Sequence, residues 1–362
     1  MKVAVIIVGK FLNKKVNGDV TELDEIKRCY DLDNSNTDIF IYNNCTLEMN
    51  KKLIEYFGKD KIKFIYTIKD SFHEKICKDI IDTENLPTSS ILVKKKQFFN
   101  DCVNEGIIGN RNLSIHVPFK DASFFNQHSF RSGFHQYYHL HNALLEIEKY
   151  EKENGIKYDF IMKIRPDFFL KHDKFGPNHY FSDKNNILLK SYNNLKYYYD
   201  KIEEDDSYHV NEYRINNYLY WRTTKFLGGQ YILNKESYNQ IEPYLNNRTL
   251  FNNKIKKDFV ITINDACFFS NGDNFKKFTK TLFKKWGEFY TKDIKFWWTA
   301  EANLQLSIIH TGLYYLDYVQ NNNYYDGIEM WVNSYHGTEK YDKLKMNTSG
   351  KIGGGTRLSK SN

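Results

Sequence analysis

The sequence has few of the residues and runs that mark fibrous, disulfide-rich or membrane-spanning proteins. Only 5 prolines and 19 glycines occur in 362 residues, which excludes collagen-like and proline-rich character. The 5 cysteines are scattered and form no C-x-x-C pair, so neither a disulfide framework nor a zinc ribbon is expected. No run approaches the roughly 18 apolar residues of a membrane-spanning helix. We therefore expect reduced thiols and a cytoplasmic protein.

The sequence also has no large excess of positive or negative charge. Lys and Arg number 52 against 45 Asp and Glu, which gives a net charge of +7 and a pI near 8.8. This pI lies below the value of about 9 that is typical of nucleic-acid-binding domains, so no nucleic-acid partner is expected. A phosphate-bearing small ligand or an anionic surface remains compatible. Residues 274–286 form a basic amphipathic pattern, through which we expect peripheral contact with a membrane.

Several common catalytic motifs are missing. The chain contains no G-x-x-x-x-G-K-[ST] loop, no G-x-G-x-x-G after the first strand, no G-x-S-x-G and no H-E-x-x-H. These absences argue against P-loop NTPases, dinucleotide-dependent dehydrogenases, α/β-hydrolases and zinc peptidases of those types.

The first third of the chain alternates between strand and helix patterns. A continuous apolar run predicts a buried strand at 3–8, and further strands are predicted at 38–42 and 61–67. Apolar residues at helical spacing predict helices at 20–30 and 46–57. A long helix over 132–153 leads into a further strand at 158–164. The pattern predicts an α/β fold with a doubly wound, mostly parallel, Rossmann-like sheet and flanking helices. Later elements are predicted as a strand at 226–233, a helix at 274–286 and a helix at 301–311.

Polar residues that follow predicted strands are the first site candidates. Arg165 and Asp167 stand just past the strand at 158–164, where open α/β sheets bind ligands. Asp167 suits a hard divalent cation and Arg165 suits a phosphate, although a buried Arg–Asp pair that closes the strand explains them equally well. Asp265 follows another apolar segment, and a simple turn Asp is the alternative.

Three further candidates lie in the second half of the chain. Gly228 and Gly229 allow backbone to approach a ligand closely, but a bulge or turn is the more common outcome. Trp297 and Trp298 precede Glu301, which suits a general base in an aromatic cleft as well as it suits a helix start. His336 and Lys340 suit a metal and a diphosphate, against the more common surface location.

Taken in order, these motifs resemble those of GT-A-type glycosyltransferases, in particular transferases of large DNA viruses and of bacterial lipopolysaccharide or capsule synthesis. The first strand ends at Gly9-Lys10, and a later strand runs from Tyr158-Asp159 to Arg165-Pro166-Asp167. An Asp-x-x-Phe-x-Ser segment covers 265–270, and an acidic residue, Glu301, opens a late helix. The resemblance spans roughly residues 1–315. One departure is Arg165, which stands in the first acidic place of the usual D-x-D.

The resemblance implies a GT-A-like fold with an acceptor-side extension and a sugar-transfer activity of the hexosyltransferase kind. It implies a nucleotide-sugar donor, a glycan or glycoconjugate acceptor and a divalent cation, Mn²⁺ or Mg²⁺. The metal ligands would be Asp167 and His336, and the catalytic base would be Glu301 or Asp265. The residues implied for the donor are Gly9, Lys10, Tyr42, Asn43, Arg165 and Lys340. Those implied for the acceptor are Gly228, Gly229, Trp297 and Trp298.

The same resemblance implies the organisation of the chain. Residues 1–170 would bind the nucleotide sugar, with an insertion at about 71–130, and residues 171–345 would carry the acceptor site and the catalytic groups. Residues 346–362 are rich in Gly, Ser and Lys and are expected to be disordered. Two other functions stay open, namely an inactive carbohydrate-binding protein of the same fold and a nucleotidyltransferase. For a viral member, the compartment would be the host cytoplasm.

Overall fold

The computed structural model of the chain describes residues 1–9, 11, 15–17, 19–42, 47–66, 128–166, 168–170, 174–181, 210–215, 218–223, 231–263, 265–284 and 300–317. Within these residues lie twelve strands and eight α-helices. The strands are β1 (Val3–Val8), β2 (Lys15–Asn17), β3 (Val20–Thr21), β4 (Thr37–Tyr42), β5 (Ile62–Ile65), β6 (Phe160–Ile164), β7 (Val210–Ile215), β8 (Tyr218–Thr223), β9 (Tyr231–Asn234), β10 (Phe259–Ile263), β11 (Cys267–Asn271) and β12 (Tyr314–Asp317). The helices are α1 (Glu22–Cys29), α2 (Leu47–Phe57), α3 (His128–Asn154), α4 (Pro177–Tyr180), α5 (Lys235–Ile241), α6 (Arg248–Asp258), α7 (Gly272–Lys284) and α8 (Ala300–His310).

A seven-stranded sheet organises the described chain. Its strand order is β12-β10-β11-β6-β1-β4-β5. Neighbouring strands pair in parallel except where β11 meets β10 and β6, so β11 alone among these seven strands runs in the opposite direction. The fold is therefore α/β with a mixed, mostly parallel sheet, which confirms that part of the prediction. Two small antiparallel sheets, β2-β3 and β7-β8-β9, lie outside it.

Helices cover both faces of the large sheet. Every residue of β1, β4 and β6 is buried, as expected for central strands whose sequences read as continuous apolar runs. One face packs with apolar residues of α1, α2 and α6 in a single core cluster. On the other face α3 packs against β1 and β4, and α7 packs against β6 and β11. This layering confirms the predicted flanking helices.

Local capping decides where the first two helices begin or end. The helix predicted at 20–30 begins at Glu22 because Thr21 caps it and the Asp24 carboxylate accepts from the Thr21 backbone at 2.8 Å. The hydroxyl of Tyr56 also donates to Asp24, at 2.5 Å, and this bond is the main reason that the pKa of Asp24 is lowered. Helix α2 ends before Gly58, whose φ of +90° suits glycine at that C-terminal position.

The second half of the chain was harder to assign from sequence. The strand predicted at 226–233 is observed at Tyr231–Asn234, and residues 224–230 lie outside the described residues. The strands β7, β8 and β12 were not predicted, and neither was the hairpin formed by β10 and β11. Strands from both predicted halves share the large sheet, since β10, β11 and β12 continue it beyond β6. The predicted insertion at 71–130 lies outside the described residues except for the start of α3, and the tail at 346–362 lies outside them entirely.

A glycine at the start of α7 permits a close backbone approach. A methyl group on Gly272 would come within 2.5 Å of the Tyr158 carbonyl oxygen, and the Gly272 amide donates to the Asp159 carbonyl at 3.0 Å. We expect Gly272→Ala to lower the free energy of unfolding by ~1–3 kcal/mol, because backbone has to move to admit the methyl group. Urea denaturation measures this. Lys152→Ala, at an exposed position of α3, is the control and should stay within about 0.5 kcal/mol of wild type. Equal stability of Gly272→Ala and the control would contradict the close approach.

Candidate functional site

The order of the strands indicates a binding position at one edge of the sheet. This position, between the segments that follow β1 and β6, is called the crevice. After β1, the next two strands of this sheet along the chain, β4 and β5, lie on one side of β1, and the following strand, β6, lies on its other side. The direction in which strands are added therefore reverses between β1 and β6. Ligands of open α/β sheets bind outside the carboxyl ends of the strands at such a switch point. Gly9 follows the carboxyl end of β1, and Arg165 and Pro166 follow that of β6. These expected site residues are therefore brought together.

The backbone at Gly9 touches the segment that follows β6. Gly9 has a φ of +135°, which side-chain-bearing residues rarely adopt. A methyl group there would lie 2.9 Å from Cδ of Pro166. Both the conformation and the contact require glycine, so the two strand ends keep a fixed, close spacing.

Asp265 lies at the same edge, in the connection between β10 and β11. Because β10 runs in the same direction as β6, its carboxyl end points to the crevice. Asp265 is 6% exposed, and Nε2 of the buried Gln136 on α3 donates to its Oδ2 at 3.0 Å. The Arg165 Nη1 lies 3.9 Å from the same oxygen. The carboxylate is thus held between an amide and a guanidinium. The predicted pair of Arg165 with Asp167 stays a prediction, since Asp167 lies outside the described residues.

Lys163 is a site residue that the sequence reasoning missed. It lies within β6 and is fully buried. Its ammonium donates to the backbone carbonyls of Asp265 and of Ala266, in the latter case at 3.1 Å. A lysine inside an otherwise apolar five-residue strand was the signal that could have revealed it. No comparable signal marked Gln136, which is one polar residue among many on α3.

Tyr42 ends β4 at the same edge, where aromatic rings pack closely. Its ring stacks on that of Tyr66 with centroids 4.5 Å apart and lies 5.8 Å from that of Phe64. The ring of His139 on α3 lies 5.2 Å away at a tilted angle. Tyr42 is 7% exposed, so most of its surface is used in these contacts. It is placed near the crevice as expected, while its predicted contact with a base or ribose stays a prediction.

Two residues of the motif that resembles the glycosyltransferase sequences lie at the opposite edge of the sheet, where its parallel strands begin. Tyr158 and Asp159 precede β6, and the five residues of that strand separate them from Arg165 by roughly 16 Å. The Tyr158 hydroxyl donates to Asp38 at 2.7 Å, and the Asp159 carboxylate accepts from the Lys2 backbone amide at 2.6 Å. Burial, followed by this bond to Asp38, raises the pKa of Tyr158. Both residues support the fold at the amino ends of the strands.

For Glu301 the structure describes the position of the backbone. It is the second residue of α8, which packs against α7 and α3. The remaining expected site residues fall outside the described part of the chain. They are Lys10, Asn43, Asp167, Gly228, Gly229, Trp297, Trp298, His336 and Lys340.

The described residues do not provide a metal site. No group of three or more His, Cys, Asp and Glu side chains that could hold an ion occurs among them. Asp265, the carboxylate at the crevice within the described residues, already accepts from Gln136 and faces the Arg165 cation. A hard divalent cation needs several oxygen ligands and is repelled by a guanidinium, so this donor set does not fit Mn²⁺ or Mg²⁺. The metal ligands predicted at Asp167 and His336 stay a prediction.

Two buried thiols, one at the end of α1 and one at the start of β11, are not suited to catalysis. Cys29 and Cys267 are both fully buried, and neither forms a disulfide. Burial is the main cause that raises the pKa of Cys267, so little of it is in the reactive thiolate form at neutral pH. Free thiols were expected for the chain, and these two agree with that expectation.

The basic helix α7 uses its lysines within the protein. Lys276 and Lys280 form ion pairs with Glu151 and Glu148 of α3, at 2.5 and 2.6 Å, and Lys277 donates to the Thr311 carbonyl at 2.6 Å. Its apolar face is buried against the sheet and α8. These contacts lend no support to the predicted membrane contact. Among the helices that the structure describes, none is long and apolar enough to cross a bilayer.

Comparisons of the chain with known protein families, with curated proteins and with solved structures find no match.

Proposed function

We propose that the protein is a GT-A-type glycosyltransferase that moves a sugar from a nucleotide-sugar donor to a glycan or glycoconjugate acceptor. The observation that carries this proposal is the meeting of Gly9, Arg165 and Asp265 at the carboxyl edge of the sheet, at the switch between β1 and β6. The crevice offers a cation and a carboxylate at a point where two strand ends are held close together. Those are the groups that a sugar diphosphate and an acceptor hydroxyl require.

The charges of the described crevice favour an anionic ligand. Lys163 and Arg165 contribute two positive charges and Asp265 contributes one negative charge. The Arg165 side chain is 21% exposed, so part of it remains open to solvent at the edge of the crevice. A guanidinium binds phosphate oxygens in a bidentate manner, and it stabilises the charge that develops on a departing diphosphate.

The proposed reaction breaks one bond, forms another and transfers one proton. The bond between the anomeric carbon of the sugar and the diphosphate oxygen breaks, and a bond from the acceptor oxygen to that carbon forms. The acceptor proton passes to a carboxylate, either Glu301 or Asp265, in an inverting reaction. Gly9, Lys10, Tyr42 and Asn43, at the ends of β1 and β4, are proposed to contact the nucleotide. The acceptor would lie on the side of β10 and α8, with Gly228, Gly229, Trp297 and Trp298.

A panel of nucleotide sugars tests the proposal. Thermal unfolding is measured with UDP-, GDP-, CMP- and ADP-sugars in Mn²⁺, in Mg²⁺ and in EDTA, and the true donor is expected to raise the melting temperature. At a concentration of 100 times Kd the stabilisation is about 2.7 kcal/mol. Transfer of labelled sugar from that donor to glycan acceptors then distinguishes sugar transfer from nucleotidyl transfer. Binding without transfer would instead indicate an inactive carbohydrate-binding protein.

Gly9→Ala provides a matched test of the crevice. We expect this variant to lose the thermal shift caused by the donor, because the methyl group collides with Pro166 and strains the backbone where the two strand ends meet. Gly312→Ala is the control, since Gly312 also has a positive φ, +74°, but has open space around it and precedes β12 at the other edge. Retained donor binding in Gly9→Ala would contradict a ligand site at this position.

A further inference from the structure

Lys163 places a positive charge in the interior of the sheet. It is 0% exposed and is paired in register with Ile6 of β1 on one side and Phe268 of β11 on the other. Taking an ammonium group out of water is costly, and an apolar side chain of similar volume usually gives at least equal stability at a buried position. The presence of a lysine here therefore points to a task that an apolar residue cannot perform.

Two hydrogen bonds of Lys163 reach the same turn. Its ammonium donates to the carbonyl oxygens of Asp265 and Ala266, both in the connection from β10 to β11. The amide of Ala266 donates back to the Ile263 carbonyl at 3.1 Å. The lysine thus ties this turn to β6, the strand that ends at Arg165.

Gln136 also holds Asp265, and it does so from a helix rather than from a strand. Its Nε2 reaches both the Asp265 backbone carbonyl, at 3.3 Å, and the Asp265 Oδ2, at 3.0 Å. Gln136 lies on α3, which covers the sheet from above β1 and β4. Backbone and carboxylate of Asp265 are therefore both fixed, by donors from two different elements, at a spot 3.9 Å from the Arg165 guanidinium.

We propose that Lys163 and Gln136 are positioning residues that hold Asp265 in the geometry required at the crevice. This inference rests on the proposed sugar transfer for its kinetic consequence, but its structural part stands on the contacts alone. Neither residue faces the ligand directly. They act by keeping the turn from opening when an acceptor hydroxyl competes for the Asp265 carboxylate or an anion competes for the Arg165 guanidinium.

The structural part is tested by hydrogen exchange. Lys163→Met keeps the approximate volume and removes the donor, and Gln136→Leu does the same for the amide. We expect amide exchange in peptides covering 265–270 to become at least about tenfold faster in Lys163→Met, because the turn opens locally. Lys276→Met is the matched control, since it also removes a largely buried ammonium, 16% exposed and paired with Glu151, from a helix that packs on the same face of the sheet. Unchanged exchange at 265–270 in Lys163→Met would overturn the tether.

The kinetic part is tested by separating kcat from donor affinity. At a temperature well below unfolding, kcat is expected to fall by about 10²-fold in Lys163→Met and about tenfold in Gln136→Leu, with the Kd of the donor little changed, since misplacing a reacting group by about 1 Å has that effect. Lys276→Met should retain the wild-type kcat. Wild-type kcat in both crevice variants would overturn the positioning role.

Failure of the proposed function and failure of the positioning role give different experimental results. If wild-type protein transfers no sugar from any donor in the panel, the proposed function fails, and the exchange data alone then decide whether Lys163 ties the turn. If wild type is active but Lys163→Met exchanges faster without any loss of kcat, the tether exists and has no catalytic consequence, which contradicts the proposal.

Discussion

Glu301→Gln is expected to lower kcat for sugar transfer by about 10²–10⁴-fold while the affinity for the donor changes little. An inverting transfer requires a carboxylate within about 2.6–3.2 Å of the acceptor hydroxyl, or one water away. Of the two candidates, the Asp265 carboxylate already accepts from Gln136 and lies 3.9 Å from Arg165, so part of its hydrogen-bonding capacity is used within the protein. Glu301 lies in the first turn of α8, which the proposed function assigns to the acceptor. Single-turnover transfer at saturating donor measures the effect.

Asp265→Asn is the companion variant. The amide keeps the shape of the side chain and removes its charge, so we expect weaker acceptor binding with a smaller loss of kcat than in Glu301→Gln. The reverse order of effects would assign the base to Asp265. Full activity of both variants would show that the reaction is of the retaining type or that the protein is not a transferase of this kind.

Arg165→Met is expected to raise the Kd for a nucleoside diphosphate by about 10- to 10²-fold, since hydrogen bonds to charged groups contribute roughly 1.5–3 kcal/mol. The loss has two sources. The diphosphate loses its cation, and the negative charge of Asp265 3.9 Å away is no longer offset by the guanidinium. Titration calorimetry with UDP, GDP, CDP and ADP, each in EDTA and in Mn²⁺, measures the change.

Two further variants sharpen that measurement. Arg165→Lys keeps the charge but loses the planar fork, so an intermediate Kd is expected. Arg28→Met removes an arginine that pairs with Glu25 on α1, and it should bind as wild type does. If Arg165→Met binds nucleoside diphosphate as tightly as wild type, Arg165 only holds Asp265, and the assignment of the diphosphate to this residue is wrong.

Local patterns were sufficient to predict most of the elements that build the crevice. The strand β1 is a continuous apolar run, and β4 and β6 are mostly apolar, because both of their faces are buried. Such segments can be recognised without any knowledge of their partners. The helices α1, α3, α7 and α8 carry apolar residues at helical spacing. Since ligands of such sheets bind at the carboxyl ends of strands, the positions of Gly9 and Arg165 in the sequence already indicated the edge where they are found.

Contacts between distant segments could not be predicted from such local patterns. The motif that runs from Tyr158 to Asp167 includes Arg165, and only the extended course of β6 reveals that Tyr158 and Arg165 lie at opposite edges of the sheet. The reversed strand β11 follows from its pairing with β6, more than 100 residues earlier, and no local propensity encodes that choice.

The amino-acid order alone was therefore enough to indicate the α/β class, the central strands and the edge at which polar residues collect, because burial and periodicity are local properties of a strand or helix. The surroundings of Asp265 depended on the folded chain. Lys163 and Gln136 are 102 and 129 residues away from it along the sequence, and they meet it because β6, the β10–β11 turn and α3 are stacked in space. A hydrogen bond between such segments depends on packing of the whole core, so it leaves no periodic signal in any one of them.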